Sequence, residues 1–323
     1  MATVFKTLLS NDVATTRTLL NEAIPITGTV VSGTYGNNNI KNYMHGMFQS
    51  VYDYPYASSS ANHIFDLSYG YSSAVSSSTS MNAKKMNIYS QMAQVLVGYD
   101  ETGSIRRFDA DGDFTTTTDA MDACVFINYA RLLVKDEIKK GSYTLTLQTG
   151  SSFVTVGDYG ANSDYRVNSP AGEFGLLYTS SVAPYGQSVG LIYYQAGVVA
   201  LTASAPLFDS YLTFTGTLSI TGTADNVRSK WDDNYFQNTT ELNSTIYFCR
   251  AANNEFNYSA NPTYLSSSQI IVKNNNVDQP PVTYITTVGL YSPDNELLAV
   301  AKLSEPLKKD PATELIFRVR LDY

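Results

Sequence analysis

Three carboxylates at alternate positions are the most suggestive chemistry in the chain. Phe108-Asp-Ala-Asp-Gly-Asp-Phe114 puts Asp109, Asp111 and Asp113 at positions 1, 3 and 5 of a calcium loop of the EF-hand type. Such a loop also needs Gly at position 6 for its turn and Glu at position 12 as bidentate ligand. Phe114 and Ala120 stand there instead. An exposed acidic loop is the simpler reading, with a calcium site of another type as the alternative. The two histidines, His45 and His63, carry less. His63-Ile-Phe-Asp66 sets a carboxylate three residues on, and Ser58–Ser60 lie nearby, but no Gly-x-Ser-x-Gly elbow accompanies them. Structural, hydrogen-bonded histidines are expected. HExxH and CxxC patterns are absent, and Ser32-Gly-Thr-Tyr-Gly36 lacks the Gly-Lys-Ser of a phosphate loop. Neither an enzymatic activity nor a cofactor is expected.

The composition points away from several partners. The 323 residues include 21 basic and 29 acidic side chains, for a formal net charge of −8. Nucleic-acid binding rests on clustered Lys and Arg, which this balance does not supply. Only 15% of the residues are charged, against about 25% in an ordinary soluble domain. Tyr contributes 25 residues, Phe 14 and Trp one. Few charges with many tyrosines suggest a surface partly covered by other protein, since Tyr offers a large rigid area with one hydrogen-bonding tip. No window is apolar enough to span a membrane. The start, MATVFKTLLSNDVATT, lacks the apolar core of a signal peptide, so synthesis in a cytoplasm is expected, with Cys124 and Cys249 as buried free thiols.

The elements that must position these residues are mainly strands. Helical spacing appears twice. Val13, Thr16, Leu19, Leu20 and Ala23 follow a potential cap at Asp12, and Met86, Tyr89, Met92, Ala93 and Leu96 precede a stop at Gly98. Leu145-Thr-Leu, Phe153 to Val156, Leu191 to Tyr194, Val198 to Leu201, Tyr211 to Ile220, Thr245 to Cys249, Ile270 to Val272, Tyr284 to Tyr291, Leu297 to Leu303 and Glu314 to Leu321 read as strands. Ser292-Pro-Asp-Asn predicts a hairpin over Thr283–Leu303. Ala57–Ser60, Ser72–Ser80, Asp109–Asp122 and Lys273–Gln279 read as loops.

Two stretches together resemble structural proteins of large contractile-tailed phages and other large DNA viruses. One runs Ile127 to Leu147, with Ile138-Lys-Lys-Gly-Ser142, then Gly157-Asp-Tyr-Gly160, then Val189-Gly-Leu-Ile-Tyr-Tyr-Gln-Ala-Gly-Val-Val-Ala-Leu-Thr202. The other is Tyr284-Ile-Thr-Thr-Val-Gly-Leu-Tyr-Ser-Pro-Asp-Asn-Glu-Leu-Leu-Ala-Val-Ala-Lys-Leu303, similar to a hairpin of tail-fibre attachment and baseplate proteins, with Phe256–Tyr264 upstream of the same character. The resemblance implies a virion component, a baseplate wedge protein first. A neck, tail-terminator or capsid-associated protein, and a receptor- or glycan-binding virion protein, are the alternatives. A cell-wall hydrolase would need two carboxylates about 5–10 Å apart in a cleft.

The expected architecture is mainly β, α+β overall. A loop-rich region 1–140 carries two helices and the assembly contacts, and a sandwich-like strand-rich region 141–323 ends in a hairpin and a terminal strand. Other virion proteins, and further copies of the chain in a symmetric assembly, are the expected partners. Tyr43, Met44, Met47, Phe48, Tyr52, Tyr54 and Tyr56, within a Tyr- and Ser-rich loop Tyr43–Tyr71, are the expected contacts. The alternative is that they fill the protein's own core.

Overall fold

The computed structural model describes residues 5–32, 34–75, 80–114, 119–204, 207–208, 219–258, 265–266, 269–270 and 282–323. The N-terminal half carries strands β1 (Val13–Thr27), β2 (Ile40–Asn42), β3 (Gln49–Tyr52), β4 (His63–Tyr71), β5 (Ala123–Tyr129), β6 (Glu137–Ile138), β7 (Thr144–Thr149) and β8 (Ser152–Gly157). There follow β9 (Phe174–Leu177), β10 (Gly190–Tyr193), β11 (Val198–Thr202), β12 (Trp231–Ala251), β13 (Leu265–Ser266), β14 (Gln269–Ile270), β15 (Thr283–Tyr291), β16 (Leu297–Lys309) and β17 (Leu315–Asp322). The helices are α1 (Gly28–Val31), α2 (Ser80–Leu96), α3 (Arg131–Val134) and α4 (Ile220–Lys230). The protein is therefore mainly β with few helices, as the alternation of β-branched and aromatic residues predicts.

The chain forms two compact units, a larger one over Leu20–Thr240 and a smaller one from Met1–Leu19 with Glu241–Tyr323. Gly141, where the strand-rich pattern begins, lies inside the larger unit. The strands before it and after it share a sheet, because β5 pairs with β11.

The larger unit is built on an antiparallel seven-stranded sheet of order β2-β3-β4-β5-β11-β10-β9. β5, β9, β10 and β11 are buried almost residue for residue. That explains their continuous apolar runs, since strands buried on both faces have no reason to alternate. α2 and α4 pack on β4. At Gly70 a Cβ would meet the backbone of Lys85 and Tyr89 at 2.7 Å, so the missing side chain is what lets α2 approach. Beside this sheet, β7 pairs with β8 and with the first part of β12, and β6 pairs with β12 at Asn238 and Thr239. The core running from Ile26 to Phe236 includes Phe65 stacked on Trp231 at 4.8 Å.

In the smaller unit β17 pairs with β12 from Ser244 to Ala251, and β15 pairs with β16 as a two-stranded sheet. The predicted turn closes that hairpin: Ser292 N donates to Glu296 O, and Asn295 holds φ 64°.

Three sequence expectations are corrected. Residues 13–23 are strand, not helix. Thr15, Thr16 and Thr18 favour an extended chain, Pro25 donates no hydrogen bond, and β12 lies alongside. Asp12 caps no such helix; its carboxylate accepts from Leu9 N at 3.1 Å and Arg250 Nε at 2.7 Å. Tyr43–Tyr71 is a loop only in part: β3 and β4 take 13 of its 29 residues, and 43–48 and 53–62 lie outside strands. The α2 helix and its end at Gly98, with φ 86°, stand as expected. Of the predicted strand Tyr211–Ile220, residues 211–218 lie outside the described residues, and Ile220 opens α4 instead. Residues 271–272 and the Asn-rich loop 273–279 also lie outside them, as do 76–79, 115–118 and 259–264. Cys124 is buried, whereas Cys249 is half-buried; neither forms a disulfide.

Candidate functional site

The acidic loop is held at both ends before its carboxylates meet. Ala110 N donates to Asp119 O at 2.9 Å and Met121 N to Phe108 O at 2.8 Å, pairing residues 108–110 with 119–121. Asn168 Nδ2 donates to Gly112 O at 3.2 Å, and a Cβ at Gly112 would meet Phe174 and Leu176 at 3.0 Å, so the loop lies tight against β9. Oxygens of Asp109, Asp111 and Asp113 come within 4.8 Å of one another. Asp109 is 2% exposed while the other two are exposed. Asp109 Oδ2 accepts from Phe114 N at 3.1 Å, and Oδ1 is buried without a hydrogen-bond partner among the described residues. Burial, then the neighbouring Asp111 and Asp113, push its carboxyl up to about 6.

Around the histidines the geometry is that of structural pairing. Asp66 stands between Ser50 and His63, accepting from the serine hydroxyl and lying 2.9 Å from His63 Nε2. The serine thus addresses the carboxylate and not the imidazole, so this trio lacks the nucleophile–base contact of a hydrolytic triad. His45 Nδ1 accepts from Met47 N at 3.1 Å, and its ring stacks on Tyr43 at 5.2 Å.

The predicted contact residues divide. Met44 is fully exposed, and Tyr54 and Tyr56 are half-exposed. Tyr43, Met47, Phe48 and Tyr52 are half-buried, and Met47 packs on the core. Tyr43 and Phe48 lie 4.8 Å apart, and Lys41 Nζ lies 4.8 Å above the Tyr43 ring, so part of this set satisfies itself.

A buried carboxylate ties together the segments Lys140-Gly-Ser-Tyr143, Gly157-Asp-Tyr-Gly160 and Leu191-Ile-Tyr-Tyr194. Asp158 accepts from Gly141 N at 2.6 Å, Tyr143 N at 3.0 Å and Tyr194 OH at 3.2 Å. Burial outweighs these donors and pushes it up to about 7. It is enclosed by its own donors, and its work is structural.

The smaller unit presents a different surface. The outer positions of the hairpin, Tyr284, Tyr291, Leu297 and Val300, are exposed, with Tyr291 opposite Leu297 and Val300 opposite Gly289. Leu298, at a bulge, is 68% exposed. The inner positions Ile285, Val288 and Leu290 line a cleft of about 840 Å³ with Phe256, Phe317 and Leu321. Lys6, Asp12 and Arg250 line the same cleft. Sequence reasoning singled out the hairpin but none of these residues as contacts. The available signal was the apolar group Tyr291, Leu297 and Val300 near the turn, on a face that carries Thr287, Lys302 and Lys308 further along and needs no large apolar residues in water.

No protein-family model matches this chain, and neither a curated protein nor a solved structure is similar to it.

Proposed function

We propose that the chain is a non-enzymatic structural subunit of a virion, whose smaller unit completes its packing against neighbouring subunits. The observation that carries this reading is how few apolar side chains that unit buries among the described residues. Its hairpin is a two-stranded sheet that lines a cleft and leaves Tyr284, Tyr291, Leu297, Leu298 and Val300 exposed. A two-stranded hairpin alone is marginal in water, and exposed strand edges invite pairing. Burial by neighbouring chains answers both. The placement in a contractile-tailed phage, with a baseplate wedge first, rests on the resemblance of residues 127–202 and 284–303. Contacts of this kind, each modest, sum through multivalency when many copies are held in a symmetric particle. Met44, Tyr54 and Tyr56 offer a second contact region on the larger unit.

The test is Val300→Asp combined with Leu297→Asp. Both side chains already face solvent, so the purified variant should keep the far-UV spectrum and denaturation midpoint of the parent chain, within about 0.5 kcal/mol. Its incorporation into particles, in a host infected with phage lacking the natural protein, should fall at least tenfold. Normal incorporation of this folded variant would end the reading.

A further inference from the structure

We propose that Asp109, Asp111 and Asp113 form a binding site for a divalent cation of the calcium class. Three features of the loop converge on this. The first is the ligand set: three carboxylates and no sulfur or imidazole, which suits a hard cation and not zinc. The second is the spacing. Oxygens bound to one Ca²⁺ at about 2.3–2.6 Å are at most about 5 Å apart, and these three lie within 4.8 Å of one another.

The third feature is independent of the clustering. Asp109 is 2% exposed, and its Oδ1 is buried with no hydrogen-bond donor among the described residues. A buried carboxylate oxygen without a donor is costly, and burial beside two further carboxylates compounds the cost. Asp158 shows what this fold does with a buried carboxylate that needs no cation: it surrounds it with Gly141 N, Tyr143 N and Tyr194 OH. At Asp109, Oδ2 has a backbone donor and Oδ1 has none among the described residues. A cation supplies the missing partner and screens the three like charges together.

Entry and further ligands are provided for. Asp111 lines a cleft of about 350 Å³ together with Asp119, Gln187 and Ser188, so water reaches the Asp111 side of the site. The tight packing of Gly112 on Phe174 and Leu176 fixes the loop in advance, which lowers the ordering cost of binding. The departure from the EF-hand pattern at Phe114 and Ala120 removes that loop's turn and its bidentate ligand. The site is therefore a bound-by-three arrangement with water completing the shell, and an affinity in the weaker range for calcium, about 10⁻⁴–10⁻³ M, is expected.

The experiment is calorimetric titration of the EDTA-treated full chain with CaCl₂ and, separately, MgCl₂ at constant ionic strength, alongside thermal unfolding. One saturable calcium site is expected, with a rise in Tm of about 5–10 °C when calcium reaches about a hundredfold excess over Kd. Asp109→Asn and the pair Asp111→Asn with Asp113→Asn should each abolish the heat of binding and the Tm rise. Without calcium, both variants should melt at or above the parent temperature, because they relieve repulsion. Glu101→Gln, an exposed change outside the cluster, should bind as the parent does. Absence of calcium binding up to about 10 mM overturns the proposal, as does calcium binding that survives in the folded variants. Equal affinity for magnesium overturns the assignment to the calcium class.

Discussion

The larger unit stacks Phe65 on Trp231, seats Tyr89 against Phe108, and closes a buried network in which Tyr129 OH meets Tyr143 OH and Asn234 Oδ1 at 2.9 Å. The smaller unit uses the same kinds of residue and buries few of them. Among its described residues the buried apolar side chains are Ile246, Ala251 and Val319. More than half of the exposed large apolar side chains among the described residues belong to it, although it is less than half the length of the other. The low charge content of the chain is therefore a property of the larger unit. In the larger unit it reflects a core that needs apolar residues. The smaller unit carries 19 of the chain's 50 charged residues on 102 positions and still leaves large apolar side chains exposed, which is costly in water unless something covers them.

The widest gap between the units should appear on truncating aromatic residues. Phe65 is fully buried between Trp231 and Tyr129, so Phe65→Ala should cost about 3–5 kcal/mol. Tyr291→Ala, at a ring 45% exposed beside Phe5, should cost under about 1 kcal/mol. Urea denaturation followed by Trp231 fluorescence reads the first directly, because that residue lies in the larger unit. Hydrogen exchange of the β15–β16 amides reads the second. Equal costs would erase the distinction between a packed unit and an open one.

Acid should also separate them. In the larger unit Asp158 and Asp109 titrate at about 7 and about 6, above the ordinary 3.8. The folded state then binds protons more tightly than the unfolded chain. The stability this adds is complete below about pH 4 and is lost as pH rises through the folded values. In the smaller unit Asp12, Glu255, Asp310 and Asp322 are held below their ordinary values, chiefly by hydrogen bonds from Leu9 N, Lys6, Thr313 and Ser244 respectively. Their contribution is present above about pH 4.5 and is lost as pH falls through the folded values. Between pH 5 and 8, with EDTA present, the larger unit should lose about 2–4 kcal/mol as pH rises, while the hairpin's intrinsic-rate-corrected exchange stays flat. Asp158→Asn should remove most of the slope read by Trp231. A slope that survived this change would mean that Asp158 is ionised well below pH 7.

How far this contrast was legible in the sequence depended on what each element rests on. The hairpin was readable because Ser292-Pro-Asp-Asn is turn chemistry between two β-branched runs, a local signal. α2 was readable from apolar residues at helical spacing. The segment over β1 misled because Val13, Thr16, Leu19 and Leu20 also fit helical spacing, and only the pairing with β12, a partner more than 200 residues away, decides for strand. α4 was missed because Thr, Gly, Asp and Asn are poor helix formers, although Ile220, Thr223, Ala224 and Val227 have the right period and Ser219 Oγ caps Gly222 N at 3.0 Å. Its stability is tertiary: Arg228 donates to Gln49 Oε1 at 2.6 Å and to Val31 O at 2.8 Å. The spacing of Asp109, Asp111 and Asp113 was plain, but the burial of Asp109 follows from β9 packing beneath Gly112, which no local pattern announces. Asp158 was visible as part of an acidic-Gly turn, and its three donors come from segments 15 to 36 residues away.

The smallest effect tests whether the smaller unit has any fixed point of its own. Lys309 is fully buried, and its ammonium donates to Asn253 O at 3.1 Å, Asn257 Oδ1 at 2.8 Å and Asp310 O at 2.9 Å. All three protons are thereby satisfied, and the end of β16 is tied to the chain following β12. Lys309→Met keeps the length of the side chain but removes three part-buried hydrogen bonds; Asn253 O keeps Asn257 Nδ2 and Asp310 O keeps Thr313 N, so the cost is about 1 kcal/mol. The loss should appear as faster exchange at the Lys309 end of the hairpin, in β15 near Thr283 and β16 near Lys308, with the midpoint read by Trp231 unchanged. At the far end, around Tyr291 and Leu297, exchange should be faster in the parent chain, because the turn is held by its own exposed hydrogen bonds and by Phe5 against Tyr291 rather than by a buried ammonium. If Lys309→Met lowered the Trp231 midpoint as well, the two units would unfold as one cooperative body, and the open unit would draw its stability from the packed one.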